Sequence, residues 1–176
     1  MSNSLLEGLT QEKVKEAAQA FMEGATMKEL KGISNEEMEA VYSLAFNFYR
    51  TGKYDDAEKL FNFLALFDHL NAKFWFGVGA VRQAKKNYEM AVQAYAYASF
   101  LDITNPKPQY HAAECFLAMG DKRNAASSIF ALEEFSDANS EVGRTYRAKA
   151  EELKKLIGEE AFKELEEEDK KAGAKA

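Results

Sequence analysis

Small and large apolar residues recur along this chain at a fixed interval, separated by polar positions. Ala57, Ala91 and Ala125 are 34 residues apart, and each comes four residues before a large apolar side chain. Apolar residues at positions i, i+3 and i+4 are typical of one face of an α-helix. One period is long enough for two such helices. The pattern therefore predicts a helical pair that is repeated three times.

The middle copy of the pattern is the most complete. Trp75, Val78 and Gly79 have the W-x-x-L-G spacing, and Ala91 and Tyr95 the A-x-x-x-F spacing, of a tetratricopeptide repeat, which is 34 residues long. The small residues in this pattern let the two helices of a pair cross closely, while the large ones fill the adjoining gaps.

The predicted fold is all-α, a right-handed superhelix of three tetratricopeptide repeats with helical caps at both ends. One repeat cannot bury its apolar face alone, so the flanking segments are expected to cover the outer faces. The acidic end, residues 159–169, is interpreted as solvated, frayed helix, with a docking tail as the alternative. The predicted parts are an N-terminal cap at 1–37, repeats at 38–71, 72–105 and 106–139, and a C-terminal capping helix with an acidic tail at 140–176.

Upstream of the repeats, an apolar stripe predicts an amphipathic helix. Its members are Val14, Ala18, Phe21 and Met22. This stripe needs burial, which it can obtain within the monomer against the first repeat or across a two-fold interface. Both alternatives are open from the sequence.

Composition narrows the classes of function. With 176 residues and 47% hydrophobic content, the chain can form one domain with a substantial core. A net charge of −6 and a pI near 5.1 argue against direct nucleic-acid binding, which needs a basic surface. The chain lacks a signal-peptide pattern and an apolar run of about 18 residues, so we expect no membrane insertion and a cytoplasmic location.

Catalysis finds little support in the sequence. His69 and His111 are far apart and lack metal-ligand spacing, so both are interpreted as structural histidines. Cys115 lies inside a predicted helix with no basic neighbour to activate it. We expect no enzyme activity, no cofactor and no metal site.

The candidate site is the inner surface of the superhelix, which the first helices of the repeats line. Aromatic side chains gather there and indicate a groove for an extended apolar peptide, whose backbone polar groups such as Gln83 would hold. Tyr42 and Tyr49 are expected to face solvent and to flank one inserted side chain. For Phe46 and Leu117 a core position is equally plausible. The predicted groove residues are Tyr42, Phe46 and Tyr49 in repeat one, Phe76, Ala80 and Gln83 in repeat two, and Tyr110, Glu114 and Leu117 in repeat three.

Residues 12–132 resemble the class II chaperones of type III secretion translocators, most closely the low-calcium-response chaperones. The resemblance is carried by the strings GATMKELKGIS, YSLAFNFYRTGKYDDA, DHLNAKFWFGVGAVRQA, YAYASFLDITNP and HAAEC. It implies a cytoplasmic bacterial protein that binds two hydrophobic pore-forming translocators before export. Its groove would receive an extended segment near the translocator N-terminus. The N-terminal stripe would then serve self-association as a homodimer, and some members also assist a transcriptional activator.

A general adaptor that binds another protein partner is the competing class. Adaptors that clamp a terminal carboxylate need Lys and Arg on the inner face. Here that face is aromatic, with Arg50 and Lys73 only at its margins.

Overall fold

Every regular element that the structure describes is a helix. The computed structural model describes residues 15, 19–20 and 22–173. The absence of strands among these residues confirms the all-α prediction. The helices are α1 (Met27–Lys31), α2 (Asn35–Arg50), α3 (Tyr54–Phe67), α4 (Ala72–Ala84), α5 (Tyr88–Leu101), α6 (Pro106–Ala118), α7 (Lys122–Phe135), α8 (Glu141–Ile157) and α9 (Glu159–Gly173).

Local signals in the sequence set where the helices begin. Ser34 accepts a hydrogen bond from the Glu37 backbone, and the Glu37 side chain accepts one from the Ser34 backbone, which is the capping box before α2. Asn71 and Asn105 cap α4 and α6 in the same register, one period apart. These caps fix the rotation of α2, α4 and α6, and hence which side chains face inward.

The turns inside the three pairs share one unusual backbone position. Gly52 and Gly120 have φ values of 76° and 79°, and Lys86, one period from each, has a φ of 61°. The left-handed region costs an L-residue about 1–2 kcal/mol, whereas glycine enters it freely. Lys86 therefore carries strain that the other two turns avoid.

Replacing Lys86 with glycine is expected to stabilise the protein. Relief of strain outweighs the extra freedom of glycine in the unfolded chain, for a net gain of about 0.5–1 kcal/mol, or roughly 1–4 °C in Tm. Asn87→Gly is the matched control, because Asn87 has a φ of −87° and makes no side-chain capping bond. Calorimetry should show a rise for Lys86→Gly and a fall for the control. A fall for both would contradict the strain.

The predicted crossing positions form the core of the pairs. Ala57, Ala91 and Ala125 are fully buried, as are Ala45 and Ala113 on the first helices. The buried residues form three clusters arranged along the solenoid, and the partly buried Phe116 packs against both the second and the third.

The outer face of α2 is less covered than its equivalents. Leu44 is 48% exposed, whereas Val78 and Ala112, at the same position in the next two pairs, are buried. The reason is that α2 begins the solenoid, and no earlier helical pair covers it in the described part of the chain.

The C-terminal segment is more ordered than its charge suggested. Residues predicted as frayed, solvated helix form α9, which packs Ala161, Phe162 and Leu165 against the last core cluster. These three residues lie on one face of a helix, which the excess of acids obscures in the sequence. No described helix is long and apolar enough to cross a membrane.

Candidate functional site

The inner face of the solenoid contains a small cavity with aromatic walls. Its volume is about 140 Å³. Side chains from α2, α4 and α6 meet here, although they are far apart in sequence. The lining residues are Tyr42, Phe46, Tyr49, Phe61, Phe76, Gly77, Ala80, Gln83, Tyr95 and His111.

The structure brings all the predicted residues of the first two repeats together around this cavity. From the third repeat, Tyr110 lies beside it, with its ring centroid 5.3 Å from that of His111. Glu114 reaches it through Gln83, whose Nε2 donates to Glu114 Oε2 at 3.0 Å. Leu117 packs against the C-terminal core cluster and does not line the cavity.

The expected slot between Tyr42 and Tyr49 is filled. Phe46 lies between the two rings and stacks on each, with centroid distances of 6.4 Å to Tyr42 and 6.5 Å to Tyr49. Residues three and four apart share one helix face, so the three rings line up along α2. Phe46 is 43% exposed and so is not a core residue. The surface offered to a ligand is therefore the face of Phe46 and the cavity beside it.

Tyr42, like Tyr49, is half-buried rather than solvent-facing, because other side chains hold it. Its ring contacts Phe61 and Phe74 at centroid distances of 5.8 Å and 6.1 Å. On its other side, Lys73 Nζ lies 3.8 Å from the ring centroid and pairs with Glu39 at 2.7 Å. Burial raises the pKa of Tyr42 and that of Tyr49. Both hydroxyls therefore stay protonated and can donate hydrogen bonds at neutral pH.

A chain of hydrogen bonds forms the polar floor of the groove. The Tyr95 hydroxyl donates to Gln83 Oε1 at 2.7 Å, and His111 Nδ1 lies 2.8 Å from Glu114 Oε2. Burial raises the pKa of Glu114, but the hydrogen bonds from His111 and Gln83 outweigh it and hold the pKa below its usual value. The carboxylate is thus ionised, and since it can only accept, His111 Nδ1 carries the hydrogen. This network fixes the orientation of Gln83.

Four residues that line the cavity were not predicted, namely Phe61, Gly77, Tyr95 and His111. His111 was interpreted as a structural histidine, yet it lies in the cavity wall, stacked on Tyr95 at a centroid distance of 5.7 Å. Tyr95 and Phe61 occupy the large packing position of the second helices, and their rings pass beneath the first helices to the inner face. A Cβ at Gly79 would lie 2.6 Å from the Tyr95 ring, so glycine permits this passage. One signal in the sequence could have identified Tyr95. A tyrosine at a packing position has a hydroxyl that needs a polar partner, so its ring is expected to reach a polar part of the molecule.

Reactive chemistry is not assembled at this site. Cys115 is buried, and burial raises the pKa of its thiol to about 12, which suppresses the reactive thiolate. Among the described residues, no group of three or more His, Cys, Asp or Glu side chains is placed to hold a metal ion.

Larger clefts occur elsewhere on the surface, but side chains from fewer helices line each of them. One of about 530 Å³ between α7, α8 and α9 is lined by Glu133 and Lys154, which already pair with each other. Another of about 590 Å³ lies beside Trp75, whose indole donates to the His69 carbonyl at 2.9 Å. The inner cavity differs because it receives rings from successive first helices, the surface that repeat solenoids use for binding.

The fold and the groove together define a tetratricopeptide-repeat protein with an aromatic cavity on its inner face. The comparisons with known proteins agree on the fold. A family model for the tetratricopeptide repeat matches residues 38–71 and 72–105.

Relatives and solved structures identify the family. Low calcium response locus protein H of Yersinia pestis is 42% identical over 119 residues, covering 67% of this chain and 71% of the relative. Chaperone protein SicA of Salmonella typhimurium is 34% identical over 147 residues, covering 84% and 83%. The Yersinia enterocolitica type III secretion chaperone SycD, in complex with a peptide of the translocator YopD, superposes with a TM-score of 0.66 at 38% identity, covering 71% of this chain and 95% of that structure. The chain belongs to this family, the class II chaperones of type III secretion.

Proposed function

We propose that this protein is a cytoplasmic, non-catalytic export chaperone that binds extended segments of two hydrophobic translocator proteins in its inner groove. The cavity walled by rings from α2 and α4 and by His111 of α6 is the observation that carries the proposal. The neighbours support it, because SycD was solved with a peptide of YopD and PcrH with the chaperone-binding regions of PopD and PopB.

The geometry explains how such a groove would hold its client. A small apolar side chain fits the cavity, where the rings exclude water and bury it. An extended peptide leaves its own backbone N–H and C=O groups unpaired, and each needs a partner when water is excluded. The Tyr42 and Tyr49 hydroxyls and the amide of Gln83 can supply these partners. Holding the client extended hides its apolar anchor and keeps it from aggregating or meeting its co-translocator.

The groove chemistry separates this function from that of a general adaptor. A clamp for a terminal carboxylate needs unpaired cations on the inner face. In the structure the central floor carries the ionised Glu114 instead, and Lys73 is already paired with Glu39. The central cavity would repel a terminal carboxylate and favours an internal, apolar segment.

Co-expression with the candidate translocators, followed by limited proteolysis, tests the proposal directly. We expect a soluble complex in which the chaperone protects one short client segment near the client N-terminus. The same translocator expressed alone should aggregate. A client that stays insoluble with the chaperone, or a complex with no protected segment, would contradict the proposed function.

Self-association through the N-terminal stripe remains a prediction. Val14, Ala18 and Phe21 lie outside the described residues, whereas Met22 is described and is 83% exposed. This exposure leaves Met22 available to a partner chain. SycD has likewise been solved in an alternative dimer.

Phe21→Glu is expected to convert a dimer of the free protein into a folded monomer, because a charge cannot be buried unpaired in an apolar interface. Sedimentation of the free protein measures this. Phe100→Glu is the matched control, since Phe100 is exposed on α5 and is not a member of the stripe. A stably folded dimer that persists in Phe21→Glu would remove the stripe from the interface.

A further inference from the structure

The aromatic wall of the groove continues beyond the three repeats onto α8. The ring of His111, in the wall of the central cavity, contacts Tyr110 at 5.3 Å and Tyr146 at 6.2 Å between centroids. Tyr110 and Tyr146 contact each other edge to face at 5.2 Å. Sequence patterning treated α8 as a cap, but through Tyr146 it also extends the binding surface.

A lysine lies at the end of this wall. Lys149 Nζ is 4.7 Å from the centroid of the Tyr146 ring and 5.8 Å from that of Tyr110. The faces of aromatic rings attract cations, and two rings hold this ammonium in one place. The Lys149 side chain is exposed on α8, which keeps the ammonium accessible from the groove side.

Lys149 differs from the lysine at the other end of the groove. Lys73 also lies over a ring, that of Tyr42, but pairs with Glu39 at 2.7 Å. Within the part of the chain that the structure describes, Lys149 has no carboxylate within ion-pair distance. The protein as a whole carries a net charge of −6, so a cation without a carboxylate partner beside the groove is a local site that can attract a negative charge.

We infer that Tyr110, Tyr146 and Lys149 form a second subsite, which receives an acidic side chain of the client. The inference rests on the proposed function and adds the register of the client in the groove. The acid would lie beside the apolar anchor of the central cavity along the client chain. The Tyr110 ring lies between the two sites, 5.8 Å from Lys149 Nζ and 5.3 Å from the His111 ring. An extended chain advances about 3.3 Å per residue, so it covers this path in about three or four residues.

Charge at the two subsites favours this register over others. The ionised Glu114, which interacts with Gln83 and also with Tyr110, repels a client carboxylate from the central floor. Lys149, over the Tyr110 and Tyr146 rings, attracts a carboxylate that lies on its own side of these rings. Specificity of this kind needs both the favourable contact and the repulsive one. A client segment that carries an acid at the anchor position itself would be rejected.

Lys149→Glu tests the subsite, with the client segment that the chaperone protects from proteolysis as the labelled probe. We expect its Kd to rise about tenfold at low salt and less at high salt, because the pair is partly exposed. Replacing the client's acidic residue with lysine should restore binding to Lys149→Glu and weaken binding to the unmodified chaperone. Lys155→Glu makes the same change of net charge on α8, at a lysine paired with Glu152, and should leave the Kd unchanged.

Equal affinity of the Lys149→Glu and Lys155→Glu variants would overturn the subsite. The proposed function is judged separately by Phe46→Glu, which removes an aromatic wall of the central cavity. If Phe46→Glu loses the client and Lys149→Glu does not, the groove binds the client but without the acidic contact. Circular dichroism of each variant confirms that the helices are intact.

Discussion

Phe46→Glu is expected to weaken client binding roughly a hundredfold while the helical fold persists. The ring of Phe46 is partly exposed in the free protein, so the substitution removes little core packing. In the proposed complex the client would cover this position, where an aromatic anchor contributes about 2 kcal/mol or more and an unpaired carboxylate adds a desolvation cost. A total near 3 kcal/mol corresponds to roughly a hundredfold loss of affinity.

Phe100→Glu is the control for this experiment. It makes the same chemical change at a ring that is 79% exposed on α5 and does not line the cavity. We expect it to bind the client with wild-type affinity, measured by titration of the labelled segment. If Phe100→Glu loses the client and Phe46→Glu keeps it, the binding surface is the outer face and the groove assignment fails.

Tyr95→Ala is expected to cause the largest loss of stability. Tyr95 is 1% exposed, packs against Gly79 and supports Phe76 and His111 from below. Truncating a buried ring costs about 3–5 kcal/mol, which for a chain of this length lowers Tm by roughly 6–20 °C. The cavity loses its floor in the same variant, so client affinity should fall as well.

Tyr95→Phe separates the hydroxyl from the ring. It removes only the hydrogen bond to Gln83 Oε1. The expected cost is about 1 kcal/mol in urea unfolding, because the freed Gln83 oxygen can reach water in the groove. A loss as large as that of Tyr95→Ala would show that the hydroxyl network, rather than the ring, stabilises this part of the solenoid.

The repeat and its inward face were predictable because both depend on local periodicity. The period of 34 residues located the crossing alanines, and the helical offset from them located Tyr42, Phe46 and Gln83. The offset was less informative in the third repeat. Leu117 is one period after Gln83 but lies against the C-terminal core cluster, because different helices follow it.

The contributions of the second helices could not be read from the pattern. Tyr95 is both a packing residue and the floor of the cavity, and periodicity assigns only the first role. On the first helix α6, His111 and Glu114 are three residues apart, so their contact is local. Gln83, which donates to Glu114 and completes the network, is 31 residues away and joins it only in the folded structure. The prediction of an open slot between Tyr42 and Tyr49 was wrong for a simpler reason. Phe46 lies on the same helix face and already occupies that space.

The division of the core into three clusters has a consequence for how the molecule opens. The first cluster contains Phe61 and Phe74 beneath one end of the groove, and the last, built around Ile129, holds α7, α8 and α9. Between them the cluster of Ala91, Tyr95, Ala112 and Cys115 is the smallest. Units with separate cores open separately, so amide hydrogen exchange should show distinct opening free energies for the two ends. A client lying across the middle cluster would join the two ends into one cooperative unit, so their opening free energies should become more alike in the complex.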